Sequence, residues 1–234
     1  MPRNILLAAA ALLAACADAE VETATSETVE ADLPEIREEA REAVAQPLEA
    51  SEDISTLPAG LYTDEDGHAY IAFSYSHQGF SYPVLRFNGD AFEARMMLDP
   101  ADPAGSTLDV DIDPSLIDSG VADFDAHLVS EDFFDVANHP EIGFTATSLS
   151  MDGPTSGSMV GDLTMKGITK PVALDVTLNK VGEHFRTQNP MFGVSARGSI
   201  LRSDWDLGLY APMVGDEVDL VIEVEFQKAE DGEG

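Results

Sequence analysis

The strongest constraint on this chain is a series of short segments, between residues 69 and 226, in which apolar and polar residues alternate. Alternation with a period of two places the apolar side chains of each segment on one face of a β-strand. About eight such segments follow one another, separated by turn signals such as Asp152-Gly153-Pro154, and Gly89-Asp90 indicates a bend within the second. Residues 179–192 lack the pattern and are predicted to form a long loop. The spacing predicts an all-β barrel or sandwich, without the helix after each strand that a parallel sheet requires.

A short helical insertion is predicted near residues 130–138. Ser130 can cap the backbone amides that follow it, and acidic residues next to it suit the positive end of a helix. His139-Pro140 ends the helix because the residue before proline avoids the helical region. Phe133 and Phe134 give the insertion an apolar side, which could line or plug one mouth of a barrel.

The predicted inward faces are apolar and carry almost no charge. An eight-stranded barrel is either filled by its own side chains or holds one small ligand. A sugar or charged metabolite would require paired polar groups inside, so this interior suits an alkyl or isoprenoid chain. A solid core and a ligand pocket both remain open on the residues alone. The candidate ligand-binding residues are Ile71, Phe73, Tyr75, His77, Phe92, Met96, Phe133, Phe134, Ile142, Phe144, Leu163, Met165 and Trp205.

The N-terminal segment has the proportions of a signal peptide. Arg3 precedes an apolar stretch at residues 5–15 that is too short to span a bilayer. The stretch ends in Leu13-Ala14-Ala15-Cys16, which resembles a bacterial lipobox, whose cysteine thiol accepts a diacylglycerol. Ordinary signal cleavage beside a stray cysteine is the alternative. Ala17, where an aspartate would signal inner-membrane retention in enterobacteria, favours the outer membrane. We therefore predict a periplasmic lipoprotein that is anchored to the membrane at Cys16.

Four regions are predicted along the chain. Residues 1–16 form the lipoprotein signal peptide, and residues 17–57 form an acidic flexible tether, rich in Ala, Glu and Thr and poor in aromatic residues. A partner-docking helix within the tether is the alternative. The barrel domain spans residues 58–228, and residues 229–234 form a disordered tail.

The formal net charge of the chain, −32, restricts its partners. Nucleic acids are bound mainly through basic residues that contact phosphates, so no nucleic-acid partner is expected. Adsorption to an anionic membrane through basic patches is excluded for the same reason. The single cysteine, Cys16, allows no disulfide within the chain, so the barrel is stabilised by packing.

Several motifs resemble those of the YceI-like family, and they occur in the family's order. The resemblance covers residues 60–228 and implies a lipocalin-like antiparallel β-barrel that holds a long apolar ligand, typically a polyisoprenoid. The family often has an arginine where this chain has Phe124, so a less polar or different headgroup is expected here. The motifs are His68 with Phe73 and His77; Asp125, His127-Leu128, Ser130, Asp132-Phe133-Phe134-Asp135, Pro140 and Phe144; and residues 161–164, 167–171, 202–205 and 214–218.

Polar residues within these motifs are the candidates for the mouth of the pocket, where they would choose the ligand. Each also has a structural alternative; Asp204 could pair with Arg202, and His127 could cap a turn. The candidate mouth residues are His68, Asp125, His127, Arg202 and Asp204.

No catalytic or metal-binding motif is present. The chain lacks a Gly-x-Ser-x-Gly elbow, a P-loop and a His-Glu-x-x-His motif, and its five histidines do not pair at metal-ligand spacing. We therefore predict a protein that binds, sequesters or transports a polyisoprenoid, quinone or other long-chain lipid without chemistry, and without a cofactor. The alternatives are a structural or stress-related envelope domain with a packed interior, and a small hydrolase or isomerase acting on a lipid. The edges and acidic surface also permit a homodimer.

Overall fold

A computed structural model describes residues 53–230 of the 234-residue chain. The predicted signal peptide, its lipidation site Cys16, residues 17–52 of the predicted tether and residues 231–234 of the predicted tail lie outside the described residues. The last part of the predicted tether is a short 3-10 turn, Ile54–Thr56, followed by Leu57, which packs in the core. Within the described range, helices are too short or too polar to cross a membrane.

Strands dominate residues 53–230, with one α-helix inserted between the fifth and sixth strands. Apolar and polar residues alternate along the strands, because every second side chain of a strand enters the core. In chain order the elements are β1 (Gly60–Asp64), β2 (Tyr70–His77), β3 (Val84–Asn88), β4 (Phe92–Leu98), β5 (Thr107–Ile112), α1 (Ala122–Leu128), β6 (Ile142–Met151), β7 (Ser156–Met165), β8 (Ile168–Glu183), β9 (Pro190–Leu201) and β10 (Val214–Lys228).

The sheet closes into an antiparallel barrel with eight strand positions, which confirms the predicted fold class. Strands β1, β4, β5, β6, β7, β8, β9 and β10 follow one another around the ring, and β1 also pairs with β10. Strands β2 and β3 add no position because they continue β1 and β4 in one register, with Gly60 opposite Leu98 and Tyr70 opposite Asn88. Closure leaves no long free edge in the ring.

The two interruptions in this long hairpin pack against each other. One is the 3-10 turn Asp66–His68, and the other is the 3-10 turn Gly89–Ala91, at the predicted bend. A Cβ atom on Gly89 would lie 2.2 Å from the backbone oxygen of Asp66, so only glycine permits this approach. The contact lets the hairpin bend to follow the curvature of the barrel.

The two ends of the barrel differ. At one end, here named the closed end, three aromatic rings fill the interior: Phe192 stacks on Phe226 with centroids 5.1 Å apart, and Tyr62 packs against Phe192 at a tilt, with centroids 5.4 Å apart. The hydroxyl of Tyr62 donates to the Pro58 carbonyl, and burial raises the pKa of Tyr62 to about 12. The other end, named the open end, carries the β2–β3 turn, the segment between β5 and β6, and the β9–β10 connection.

The helical insertion lies a few residues before its predicted position. Helix α1 is Ala122–Leu128, whereas residues 130–138 form successive turns. The hydroxyl of Ser130 donates to the His127 carbonyl at 2.6 Å, so this serine closes the end of a helix and does not start one. Asp135 then takes a left-handed conformation, with φ of 50°, which a helix cannot contain.

The long loop predicted over residues 179–192 is wrong. Strand β8 continues to Glu183 and β9 begins at Pro190, so only residues 184–189 connect them. The β8–β9 register shifts between Leu178 and Lys180, which breaks the alternation of apolar and polar residues. The second part of β8 therefore could not be recognised by a period of two. Strand β1 was not predicted from the sequence, because its five residues show no clear alternation of apolar and polar side chains.

We expect the stability of the barrel to depend on pH through Asp64, where β1 ends. One carboxylate oxygen accepts the Ala94 amide at 2.6 Å, while the other is buried without a hydrogen-bond partner among the described residues. Burial is the main cause that raises the pKa of Asp64 above 3.8. The folded state therefore holds this proton more tightly than the unfolded chain, so the contribution of Asp64 to stability falls as the pH rises from about 4 through the raised pKa.

Asp64→Asn, which mimics the protonated carboxyl, should be more stable than the parent at pH 7 by up to about 1 kcal/mol, since solvent screens a partly exposed group. The gain should vanish at pH 3. Urea unfolding at both pH values measures it, with the exposed Asp90→Asn as the control for removal of one negative charge. An equal change at both pH values would contradict the assignment.

Candidate ligand cavity

The barrel encloses a cavity of about 650 Å³. This volume lies within the range of roughly 300–1,000 Å³ that is usual for small-molecule sites. The cavity reaches from Phe226 near the closed end to Val84, Val121 and Tyr210, which are exposed at the open end. Twelve of the thirteen predicted ligand-binding residues line it: Ile71, Phe73, Tyr75, His77, Phe92, Met96, Phe133, Phe134, Ile142, Phe144, Leu163 and Met165.

The wall of the cavity is almost entirely apolar. Over residues 53–230, no Asp, Glu or Lys side chain lines it, and Arg202 is the one permanently charged group on the wall. The other polar side chains that reach it are Tyr75, His77, Ser119, His127 and Tyr210. A cavity with these walls excludes charged and sugar-like ligands and accommodates a long apolar chain with a small polar end.

Gly161 makes room for one of the aromatic rings on the wall. It faces Ala146 across the β6–β7 pair, next to the pairing of Phe144 with Leu163. A Cβ atom at Gly161 would lie 2.1 Å from the end of the Phe144 ring, so the ring occupies the space that a side chain would take. A glycine at this position therefore keeps the Phe144 ring against the wall and out of the cavity.

The segment between β5 and β6 forms one side of the open end. Helix α1 contributes Phe124 and Leu128, and the following turns contribute Phe133 and Phe134. The Phe134 and Phe87 rings approach with centroids 6.3 Å apart, which attaches the segment to β3. Phe124, which stands where the resemblance led us to look for an arginine, lies on the apolar wall.

His127, a predicted mouth residue, lines the cavity from α1. Its Nε2 atom lies 3.0 Å from a carboxylate oxygen of Asp132, and its ring meets the Phe133 ring edge-on at 5.0 Å. These contacts hold the imidazole at the open end, where it can meet the polar end of a ligand.

Arg202, another predicted mouth residue, is buried with 8% of its surface exposed. Its Nε donates to the Gly215 carbonyl at 2.8 Å, and one terminal nitrogen donates to the Val214 carbonyl at 2.9 Å. The other terminal nitrogen donates to the Leu207 carbonyl and also to the Leu209 carbonyl, the latter at 2.9 Å. Burial lowers the pKa of its guanidinium below the ordinary value. Arg202 thus ties the β9–β10 connection to the barrel.

The remaining four predicted residues do not reach the cavity wall, as far as residues 53–230 show. Trp205 is buried beside the wall, and its indole N–H donates to the Leu163 carbonyl at 3.1 Å. Asp204 binds Lys170 at 2.5 Å, so it does not pair with Arg202. Asp125 accepts the Ser119 amide at 2.8 Å. These three groups stabilise the segments around the open end.

His68 lies outside the barrel, on the interrupted hairpin. Its Nδ1 atom is 2.6 Å from Glu65 and 3.9 Å from Glu225. The hydrogen bond to Glu65 is the main cause that raises the pKa of His68. The three groups are close enough to be ligands of a cation, but their geometry is that of an exposed ion pair.

Sequence reasoning missed several residues of the wall, among them Phe87, Val121, Phe124, Leu209 and Tyr210. Leu209 and Tyr210 belong to residues 207–214, a run without a charged residue in a strongly acidic chain. Absence of charge was the one available signal, because a loop has no periodicity that would show which side chains face inward.

Comparison with known proteins identifies the family. The model described as the YceI-like domain matches residues 62–226. Protein YceI of Escherichia coli is 33% identical over 172 residues, which cover 73% of this chain and 88% of that protein. The crystal structure of Burkholderia cenocepacia BcnA resembles this chain with a TM-score of 0.60 at 23% identity, over 68% of this chain and 96% of BcnA. A polyisoprenoid-binding domain from Saccharophagus degradans, implicated in plant cell wall breakdown, resembles it with a TM-score of 0.53 at 11% identity, over 74% of this chain and 100% of that domain. Both structures share the fold.

Proposed function

Because this chain belongs to the YceI-like family, we propose that it binds a polyisoprenoid, a quinone or another long-chain lipid inside its barrel. The observation that carries the proposal is the 650 Å³ cavity with its apolar wall. Each CH2 group moved from water to such a wall contributes about 0.8 kcal/mol. A structural domain with a packed interior, the alternative considered above, would not leave this space.

The polar groups at the open end favour a ligand with a small polar head. His127, Tyr75 and Arg202 reach the cavity there, whereas the closed end is filled by aromatic rings. The ligand would therefore enter tail first and leave its head near the open end. The S. degradans domain of the same fold is a polyisoprenoid-binding domain, which supports a ligand of this class.

The groups on the wall support binding without chemistry. Burial raises the pKa of Tyr75, so this phenol keeps its proton at neutral pH and is not available as a base. The hydroxyl of Ser119 donates to the Val121 carbonyl at 3.3 Å and has no imidazole as its hydrogen-bond partner within residues 53–230. A nucleophile needs an adjacent base. The protein would therefore sequester or carry its ligand unchanged.

The proposed location is the periplasm, with a lipid anchor at Cys16 in the outer membrane. The lipobox-like sequence before Cys16 supports it. Metabolic labelling with a radioactive fatty acid should mark the protein, and Cys16→Ser should abolish the label. A label that survives the substitution would contradict the anchor.

Native mass spectrometry of the chain, purified without detergent from a bacterial host, tests the proposed function. We expect a bound species that organic extraction identifies as an isoprenoid, a quinone or another long-chain lipid. A chain that is free of ligand, and that takes up no polyprenol when this is added, would contradict the proposal.

A further inference from the structure

Exposed apolar side chains are concentrated at the open end of the barrel. Large hydrophobic residues with high exposure concentrate in three segments there, residues 77–84, 116–121 and 207–214. At the tip of the β2–β3 turn, Phe80 is 87% exposed, and in the β9–β10 connection Met213 is 67% exposed. We name the whole set the rim; it consists of Phe80, Tyr82, Val84, Leu116, Val121, Leu209, Tyr210 and Met213.

The three segments form one continuous surface. His77 is paired with Val214, which joins the β2–β3 turn to the β9–β10 connection. Arg86 and Asp118 exchange two backbone hydrogen bonds of 3.0 Å, which place residues 116–121 beside the start of β3. Val84, Val121 and Tyr210 belong both to the rim and to the cavity wall, so the rim borders the opening of the cavity.

The rim is also free of net charge, although the chain carries −32. Residues 77–84 and 207–214 contain no Asp, Glu, Lys or Arg. The third segment contains Asp118, whose carboxylate binds the guanidinium of Arg86 at 3.0 Å. Exposed apolar patches of this kind are sites of contact with a protein or a membrane.

From this surface we propose that the rim docks on a lipid bilayer, so that ligand passes between the membrane and the cavity without crossing water. This inference rests on the proposed function, because a long-chain lipid has a bilayer as its source or destination. Tyr82 and Tyr210 are suited to the boundary between headgroups and acyl chains, where tyrosine is enriched. Phe80 and Met213 extend beyond the opening and would enter the acyl chains. A protein interface would more commonly include arginine among its contact residues, whereas none of the eight rim residues is charged.

The charge distribution sets the kind of bilayer. An acidic protein is repelled by anionic headgroups, and the uncharged rim has no basic residue to offset that repulsion. Docking therefore requires a surface of zwitterionic lipids. In the docked orientation the rim faces the membrane, and the closed end, where residues 53–57 precede β1, faces water.

Flotation of the full chain with phosphatidylcholine vesicles tests the proposal. All variants carry Cys16→Ser, which removes any acyl anchor. The rim variant is Phe80→Asp with Met213→Asp; neither side chain lines the cavity. The matched control is Met97→Asp with Phe185→Asp, two exposed apolar residues near the closed end. We expect the parent and the control to float, and the rim variant to lose about tenfold or more in vesicle affinity, since membrane binding follows the apolar area inserted.

A second measurement separates this proposal from the proposed function. Polyprenol is offered to each variant either within the vesicles or from ethanol solution. Native mass spectrometry then measures the fraction of protein that has bound the lipid. The rim variant should load normally from ethanol and about tenfold more slowly from vesicles. If no variant took up lipid by either route, the proposed function would be contradicted. The flotation experiment would still test membrane docking by the rim.

Three results would overturn the rim proposal. The first is a parent chain that stays unbound to the vesicles, and the second is equal flotation of the rim and control variants. The third is a dimer in the absence of vesicles that only the rim variant converts to a monomer, since the rim would then be an interface between two copies of the chain. Urea unfolding of each variant serves as the check that it is folded.

Discussion

Replacing Arg202 by leucine should lower the free energy of unfolding by on the order of 4 kcal/mol, because a buried carbonyl left without a donor costs about 1–3 kcal/mol. The guanidinium serves the carbonyls of Leu207, Leu209, Val214 and Gly215. Some of these carbonyls would find water near the open end, so the sum is smaller than four full penalties. Urea unfolding at pH 7 measures the effect.

Arg197→Leu is the matched control for this prediction. It removes the same type of side chain from strand β9, which ends one residue before Arg202, but Arg197 is exposed and its nearest carboxylate, on Glu223, is 3.8 Å away. A weak surface pair of this kind contributes about 0–1 kcal/mol. If Arg202→Leu were as stable as Arg197→Leu, the guanidinium would not hold the β9–β10 connection, and its four hydrogen bonds would be without consequence for the fold.

Filling the middle of the cavity should weaken lipid binding strongly. Ala94 on β4 and Ala196 on β9 lie on the wall, and both are buried. The double substitution Ala94→Phe with Ala196→Phe would place two rings in the path of an apolar chain. Excluding about four methylene groups costs roughly 3 kcal/mol, which is on the order of 100-fold in Kd. Titration with polyprenol, followed by native mass spectrometry, measures the loss.

The control adds the same two rings to the outside of the protein. Ala104 and Ala173 are both exposed, and Ala173 lies between the inward-facing Val172 and Leu174 on β8. Ala104→Phe with Ala173→Phe should keep the affinity of the parent. Equal binding by the cavity-filled variant and by this control would show that the ligand lies outside the barrel.

Much of the fold could be predicted because alternation is a local property. Phe73 and Tyr75 enter the interior and Ser74 between them does not, because successive side chains of a strand point to opposite faces. Five consecutive residues are enough to show this pattern. The prediction failed where local signals had two meanings. Ser130 has the chemistry of a helix start, yet its hydroxyl donates backwards to the end of α1. The register shift after Leu178 similarly concealed the second half of β8.

The candidate site was predicted less evenly. The apolar part of the wall followed from the strand faces, and twelve of its thirteen predicted members line the cavity. The polar part did not follow, because motif membership does not distinguish a side chain that faces a ligand from one that holds a loop. Asp204 binds Lys170, and Trp205 donates to the Leu163 carbonyl, so both serve the framework around the open end.

The sequence by itself determined that the chain forms about eight strands, which of their residues face inward, and that those residues are apolar. It could not decide whether the inward residues fill the interior or leave space, because that depends on the width of the closed ring. Tyr62 and Lys228 lie near opposite ends of the domain's sequence, yet they pair in the sheet. This contact between β1 and β10 closes the ring. The distance between opposite walls is set by the number of strands in the closed ring, and no local stretch of sequence shows that number. The cavity is therefore decided only by the tertiary structure.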